Sequence, residues 1–238
     1  MLHRLHIPSR TWELLNPAGR PAPTPCDKLA GWVYKDKLYF FGGFGPRPDL
    51  ERFQYEMDQS TVYSAMPRGW NNQLVVYNTV TNCWEWPKMK GPTPSPRAAH
   101  AADITGHKAF VFGGRFKHRR TNDLHSLDLE THTWSGNLTP HFDDSPPGRS
   151  WHTLNFISPT RAVVYGGLDQ TNSILSDCWV LEVPSLRWIQ LMHQKCVPRL
   201  WHRAQFVGAN RLLIVGGHKN NILDMRINKV SRVVKEFN

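Results

Sequence analysis

No stretch of the 238 residues approaches the roughly 20 consecutive apolar residues that a bilayer span requires. The opening run Met1-Leu2-His3-Arg4-Leu5-His6 has no apolar signal core. Cysteine is scarce: Cys26, Cys83, Cys178 and Cys196 form no Cys-x-x-Cys pair, so neither a zinc knuckle nor a disulfide framework is written into the chain. These absences point to reduced thiols in cytoplasm, nucleus or both, with no membrane partner. There is also no Gly-x-Ser-x-Gly turn and no His-Glu-x-x-His pair, so nothing selects a nucleophile with its base or a metalloprotease site. The expectation is a non-enzymatic protein with neither cofactor nor metal.

What the chain has is aromatic bulk and positive charge. Ten Trp and 11 Phe within 40% hydrophobic content supply a large core. A formal charge of +10 raises nucleic acid as a partner, but its distribution argues against one. The densest basic run, Arg115-Phe116-Lys117-His118-Arg119-Arg120, lies directly behind a Gly-Gly doublet. That position reads as a short loop suited to a small anion.

The dominant pattern is repetition. Gly42-Gly43, Gly113-Gly114, Gly166-Gly167 and Gly216-Gly217 each close a short apolar run, and Trp84, Trp134 and Trp188 follow the first three in step. A period of roughly 50 residues is that of a four-stranded propeller blade of kelch type. The fold class expected is an all-β propeller within residues 1–220, with blades at about 28–86, 97–137 and 149–192. In the clearest unit, strands are expected at Pro96–Ala102, Ala109–Phe112 and Asn122–Leu129, and a fourth begins at Thr131–Trp134, whose tryptophan packs between blades. In the first blade an insertion from Pro46 to Gly69, rich in Pro and charge, is expected as a long loop on one face.

The ends are incomplete in a complementary way. Residues 1–15 match only the outer half of a unit, with Trp12 in the tryptophan place, and residues 199–217 match only the inner half. Joined, they would close a four-blade ring; unjoined, they leave an open arc. In the tail 221–238, Val230, Val233, Val234 and Phe237 fall at helical spacing, so a short helix or disorder is expected there.

His100, His152 and His202 recur three residues after Arg97, Arg149 and Arg199. Equivalent positions in successive blades are spread around an axis, so they read as packing or hydrogen-bonding histidines and not as one metal site. Loops behind the doublets converge on one face. Arg115, Arg120, Phe44 and the insertion ending in Trp70 can therefore line one bowl, where guanidinium forks and aromatic walls suit a carboxylate.

The strings Asp27-Lys28-Leu29-Ala30-Gly31-Trp32, Pro67-Arg68-Gly69-Trp70-Asn71, Pro96-Arg97-Ala98-Ala99-His100, Phe112-Gly113-Gly114-Arg115, Gly148-Arg149-Ser150-Trp151-His152 and Pro198-Arg199-Leu200-Trp201-His202 resemble the kelch domain-containing protein 2 family. These are kelch-repeat substrate receptors of cullin-2 RING ubiquitin ligases. The resemblance implies a six-blade parent whose first blades and C-terminal elongin/cullin box are missing here. It also implies a reader of C-terminal diglycine degrons, with the terminal carboxylate held by Arg115, Arg120, Ser150 and Lys28 between the walls of Trp70 and Trp151. Phe44 stands where the family has a tyrosine. Implied partners are proteins or peptides ending in Gly-Gly, and elongins B and C with cullin-2. The alternative is a general kelch interaction scaffold, a truncated paralogue without ligase coupling.

Overall fold

The computed structural model describes residues 2–19, 21–139, 144–192, 196–208 and 211–219, and the backbone of 232–236. The chain opens with a hairpin of β1 (Leu2–His6) and β2 (Thr11–Leu15), which pair only with each other. The first complete blade follows: β3 (Ala30–Tyr34), β4 (Lys37–Gly45), β5 (Tyr55–Met57), β6 (Gly69–Asn78) and β7 (Cys83–Glu85), with β6 bonded to β4, β5 and β7. The second is a plain meander of β8 (Ala101–Thr105), β9 (Lys108–Phe116), β10 (Arg119–Asp128) and β11 (Thr133–Asn137). In the third, a two-strand rim of β12 (Arg149–Ser150) and β15 (Leu168–Asp169) accompanies β13 (Thr153–Ser158), β14 (Arg161–Tyr165), β16 (Cys178–Glu182) and β17 (Arg187–Leu191). The last sheet is β18 (Arg203–Phe206), β19 (Arg211–Val215) and β20 (Arg232–Glu236).

The second strands β9 and β14 of the inner blades are apolar on both faces because blades are packed on both sides. Ala109 and Val111 join Phe41, Leu74 and Trp134 in a core shared with the preceding blade. Phe110 and Phe112, one residue out of phase, join Leu154, Val164 and Trp188 in the core shared with the next. A sandwiched strand therefore reads as a continuous hydrophobic run without alternation. Two of the tryptophans sit between blades: Trp134 meets Phe41 and Trp188 meets Phe112, each in a tilted contact with ring centres 5.0 Å apart.

The doublets answer to that crowding. Gly113 and Gly114 have φ of 64° and 107°. A Cβ on Gly113 would lie 2.9 Å from the Arg149 carbonyl of the next blade, and one on Gly114 would lie 2.8 Å from the His100 Cβ. Only glycine tolerates both the dihedral and the approach. The arginines clamp the same corner. Buried Arg97 bonds the Gly113 carbonyl at 2.9 Å and grips Asp123 with both terminal nitrogens, and Arg149 repeats this with Gly166 and Asp177.

Three expectations change. The basic run is no loop: Arg115 lies in β9 and Arg120 in β10, paired opposite each other across a turn at Lys117-His118. The insertion is not a plain loop either, because Tyr55–Met57 pairs with Gly69–Asn71 as an extra strand and Gln59–Thr61 forms a single 3-10 turn. In the tail, Arg232–Glu236 is a strand on β19, not a helix, while Val230 and Phe237 lie outside the described residues. Because β19 pairs with β18 and β20, and β1 with β2, no hydrogen-bonded seam joins the two ends among the described residues. The strands form the open arc. Their inner members line a concave cavity of about 400 Å³.

Candidate functional site

The mouth of the arc is built by one repeated backbone position. Lys28, Ala99, Trp151 and Trp201 each open an inner strand, and all four adopt the left-handed conformation, with φ between 56° and 60°. That costs roughly 1–3 kcal/mol per residue and persists only where the surroundings impose it. Here the imposing element is a hydrogen-bond chain from blade to blade. The Ala99 N–H donates to the Lys28 carbonyl at 2.7 Å, Trp151 to Ala99 at 2.8 Å, and Trp201 to Trp151 at 3.0 Å. The chain thereby lifts Lys28 and Trp151 toward the rim.

Around this rim lies a cavity of about 250 Å³ lined by Lys28, Phe44, Trp70, Ala98, Ala99, Arg115 and Trp151, with Asp58 and Thr61 of the insertion closing one side. Five of the seven residues expected at the site are thus brought together. Trp70 is buried, meets Phe44 edge-on at 5.2 Å and Phe116 at 6.3 Å, and carries the Arg115 guanidinium 5.9 Å from its ring centre. Lys28 lies 5.0 Å from the Phe44 ring centre and 3.6 Å from Asp27.

Arg120 and Ser150 stand beside that lining and are bonded to each other. The Arg120 Nε donates to Ser150 Oγ at 3.0 Å, its NH2 group donates to Asn172 Oδ1 at 2.9 Å, and its backbone N–H donates to Gln170 Oε1 at 2.7 Å. Arg120 is held in place with guanidinium donors to spare. Its pKa is lowered from the usual value, first by burial and then by the charge of Arg115. Among the described residues no carboxylate forms an ion pair with Arg115 or Arg120, whereas Arg97 and Arg149 each have one. Two cations held opposite each other on paired strands repel each other.

The repeated histidines behave as packing groups. His100, His152 and His202 meet Phe41, Phe112 and Tyr165 edge-on at 5.5, 5.4 and 5.3 Å. Burial first, and the adjacent Arg97 second, push His100 down to about 3, and burial followed by Arg149 lowers His152 well below its ordinary value. Both are neutral at physiological pH.

The KLHDC2/KLHL20/DRC7 Kelch-repeats domain model matches residues 63–231, which is most of the chain. The chain belongs to that kelch family. It is 41% identical over 216 residues to Kelch domain-containing protein 1 of Mus musculus, covering 90% of this chain and 53% of that protein. To Kelch domain-containing protein 2 of Homo sapiens it is 41% identical over 215 residues, covering 89% and 52%. The kelch chain therefore spans about half the length of these relatives. Membership gives it a propeller-like fold of the protein-binding kelch type.

Besides the small Ala98 and Ala99, four polar residues at or beside the kelch site escaped the sequence reading: Asp58, Thr61, Gln170 and Asn172. The last two had a signal. Gln170 and Asn172 follow Gly166-Gly167 as Arg115 follows Gly113-Gly114, in a turn where Asp169 Oδ1 accepts the N–H groups of Thr171 and Ser173. Asp58 and Thr61 had none, because their placement depends on β5 pairing with β6.

Proposed function

We propose that this chain captures the C termini of proteins, with preference for a terminal Gly-Gly, and presents them to a cullin-2 RING ubiquitin ligase through elongins B and C. The observation that carries the first half is the Arg115–Arg120 pair. It is held in place, partly desolvated and without a carboxylate ion pair among the described residues, and it stands beside a cavity walled by Trp70, Phe44 and Trp151. A carboxylate entering there would gain paired, charge-assisted hydrogen bonds in surroundings from which aromatic rings exclude water. At about 250 Å³ the cavity is small for a ligand pocket, which suits glycine and penalises a side chain. The ligase half rests on the resemblance of the site strings.

The test is titration of the folded chain with a peptide ending in Gly-Gly, as free acid and as amide. The acid binds and the amide does not. Arg115→Ala or Arg120→Ala weakens the acid by about 2–5 kcal/mol, the cost of truncating one partner of a desolvated charge pair. Equal binding of acid and amide would leave a scaffold without a carboxylate pocket. Pull-down of elongins B and C with the full chain tests the second half separately.

A further inference from the structure

Blade-to-blade packing follows one rule where it is complete. The aromatic residue before a Gly-Gly doublet meets the outer tryptophan of the next blade, as Phe41 meets Trp134 and Phe112 meets Trp188. At the start of the arc the rule is broken. Among the described residues Trp84 meets only rings of its own blade, Phe40 and Tyr77. With Phe40 and Val75 it lines a cavity of about 620 Å³, closed on the far side by Leu2, Leu14 and Leu15 of the opening hairpin. At the finish of the arc the complementary group is idle. Val215 holds the place of Phe41 and Phe112, directly before Gly216-Gly217, and is 44% exposed.

Strand registers give the hairpin the outer-strand positions of a blade and β18–β19 the inner-strand positions. In the second and third blades Leu127 lies opposite Ala109 and Leu181 opposite Ala162; on their other side these leucines pair with Trp134 and Trp188. Both leucines are fully buried. In the hairpin the residue paired with Trp12 is Leu5, so Leu5 occupies that same third-strand place and Leu2 occupies the place of Leu124. On β19 the counterpart of Ala109 is Leu212, yet β20 sets Lys235 opposite it and Arg232 opposite Val215. β20 thus brings basic residues to two positions that complete blades fill with apolar ones. β1 brings leucine to both.

We propose that β19 of one copy of this chain accepts β1 of a second copy, head to tail, with β20 displaced. β18 and β19 of the first and β1 and β2 of the second then form one four-stranded blade. Val215 of the first enters the cavity beside Trp84 of the second, and Leu5 and Trp12 of the second cover the end of the first. This is strand exchange at a sheet edge, β1 replacing β20 on β19, with side-chain register as the selector. Pairing β1 with β19 inside one chain would require the arc to close upon itself. Joining two copies leaves every existing blade contact as it is. The interface is heterologous, so copies extend into a larger ring or a filament.

Sedimentation velocity of the full chain over a concentration series tests this. The chain is expected to associate as concentration rises. Leu5→Asp disables one end and Val215→Arg the other, so each variant alone sediments as a monomer, while a one-to-one mixture forms a heterodimer and stops there. A wild-type chain that stays monomeric throughout, association that survives Leu5→Asp, or a mixture that stays monomeric overturns the proposal. A variant carrying Leu5→Cys and Leu212→Cys gives an independent readout under oxidation, with the two single-cysteine variants alongside. Disulfide-linked dimers and higher species are expected only from the double variant; a disulfide within one chain would mean single-chain closure and overturn the proposal.

Discussion

Trp134 and Trp12 hold the same place in the repeat and meet opposite fates. Trp134 is 1% exposed, wedged against Phe41 of the neighbouring blade, with Leu127 and Leu129 in the same core. Trp12 is 68% exposed on a two-stranded hairpin whose Leu5, Ile7 and Leu14 are also exposed. The local sequence is equivalent, and so is the pairing with a leucine across the hairpin. What differs is the pair of inner strands. A kelch tryptophan is buried by its neighbours and not by its own hairpin, so half a blade preserves the strands while losing the core.

The sharpest way to break this comparison is truncation at both places. Trp134→Ala should cost about 3–5 kcal/mol in urea unfolding, the usual loss for a buried large aromatic. Trp12→Ala should cost within about 0.5 kcal/mol in dilute solution. A Trp12 effect that grows with protein concentration would show that a second copy covers it. Ion pairs give the next contrast. Asp123→Ala strands buried Arg97 and should cost about 3–5 kcal/mol, whereas Glu13→Ala, removing a pair with Arg4 at 2.7 Å in open solvent, should cost about 0–1 kcal/mol.

Acid should act through the complete blades. An unfolded histidine takes its proton near pH 6.5, but folded His100 resists down to about 3, and His152 is lowered in the same direction. Below about pH 6.5 the unfolded state therefore binds more protons. Stability should then fall by about 1.4 kcal/mol per pH unit for each histidine. Asp123 adds to the loss at lower pH: burial raises its pKa, but hydrogen bonds from His125 and Arg97 outweigh that and hold it well below the carboxylate range. Its contribution is present above about pH 3.9 and fades as pH drops further. Melting temperature followed from pH 7.5 to about pH 2.5 should show both phases, and His100→Phe should reduce the slope of the first.

The blades were legible because glycine pairs and tryptophans answer to constraints repeated in every unit. The site was legible to the extent that it hangs on those landmarks: Lys28 and Trp151 sit at one repeated backbone position, and Arg115 directly follows a doublet. The strand character of the basic tip was hidden because Arg115 and Arg120 read as polar loop, while their pairing depends on β9 and β10 running past the doublet. The tail misled because a few valines fit more than one period. The adjacent β-branched Val233-Val234 favoured a strand, and only the free edge of β19 decides it.

The chain of peptide bonds through Lys28, Ala99, Trp151 and Trp201 works as a hoop. Ala99 and Trp151 each have both N–H and C=O engaged, one toward each neighbour. A tilt of either peptide plane cannot be absorbed where it occurs and must pass along the rim. Since Lys28 and Trp151 are links in that hoop as well as walls of the cavity, a ligand gripped there tightens all four units at once, and their rim amides should slow their exchange with solvent together.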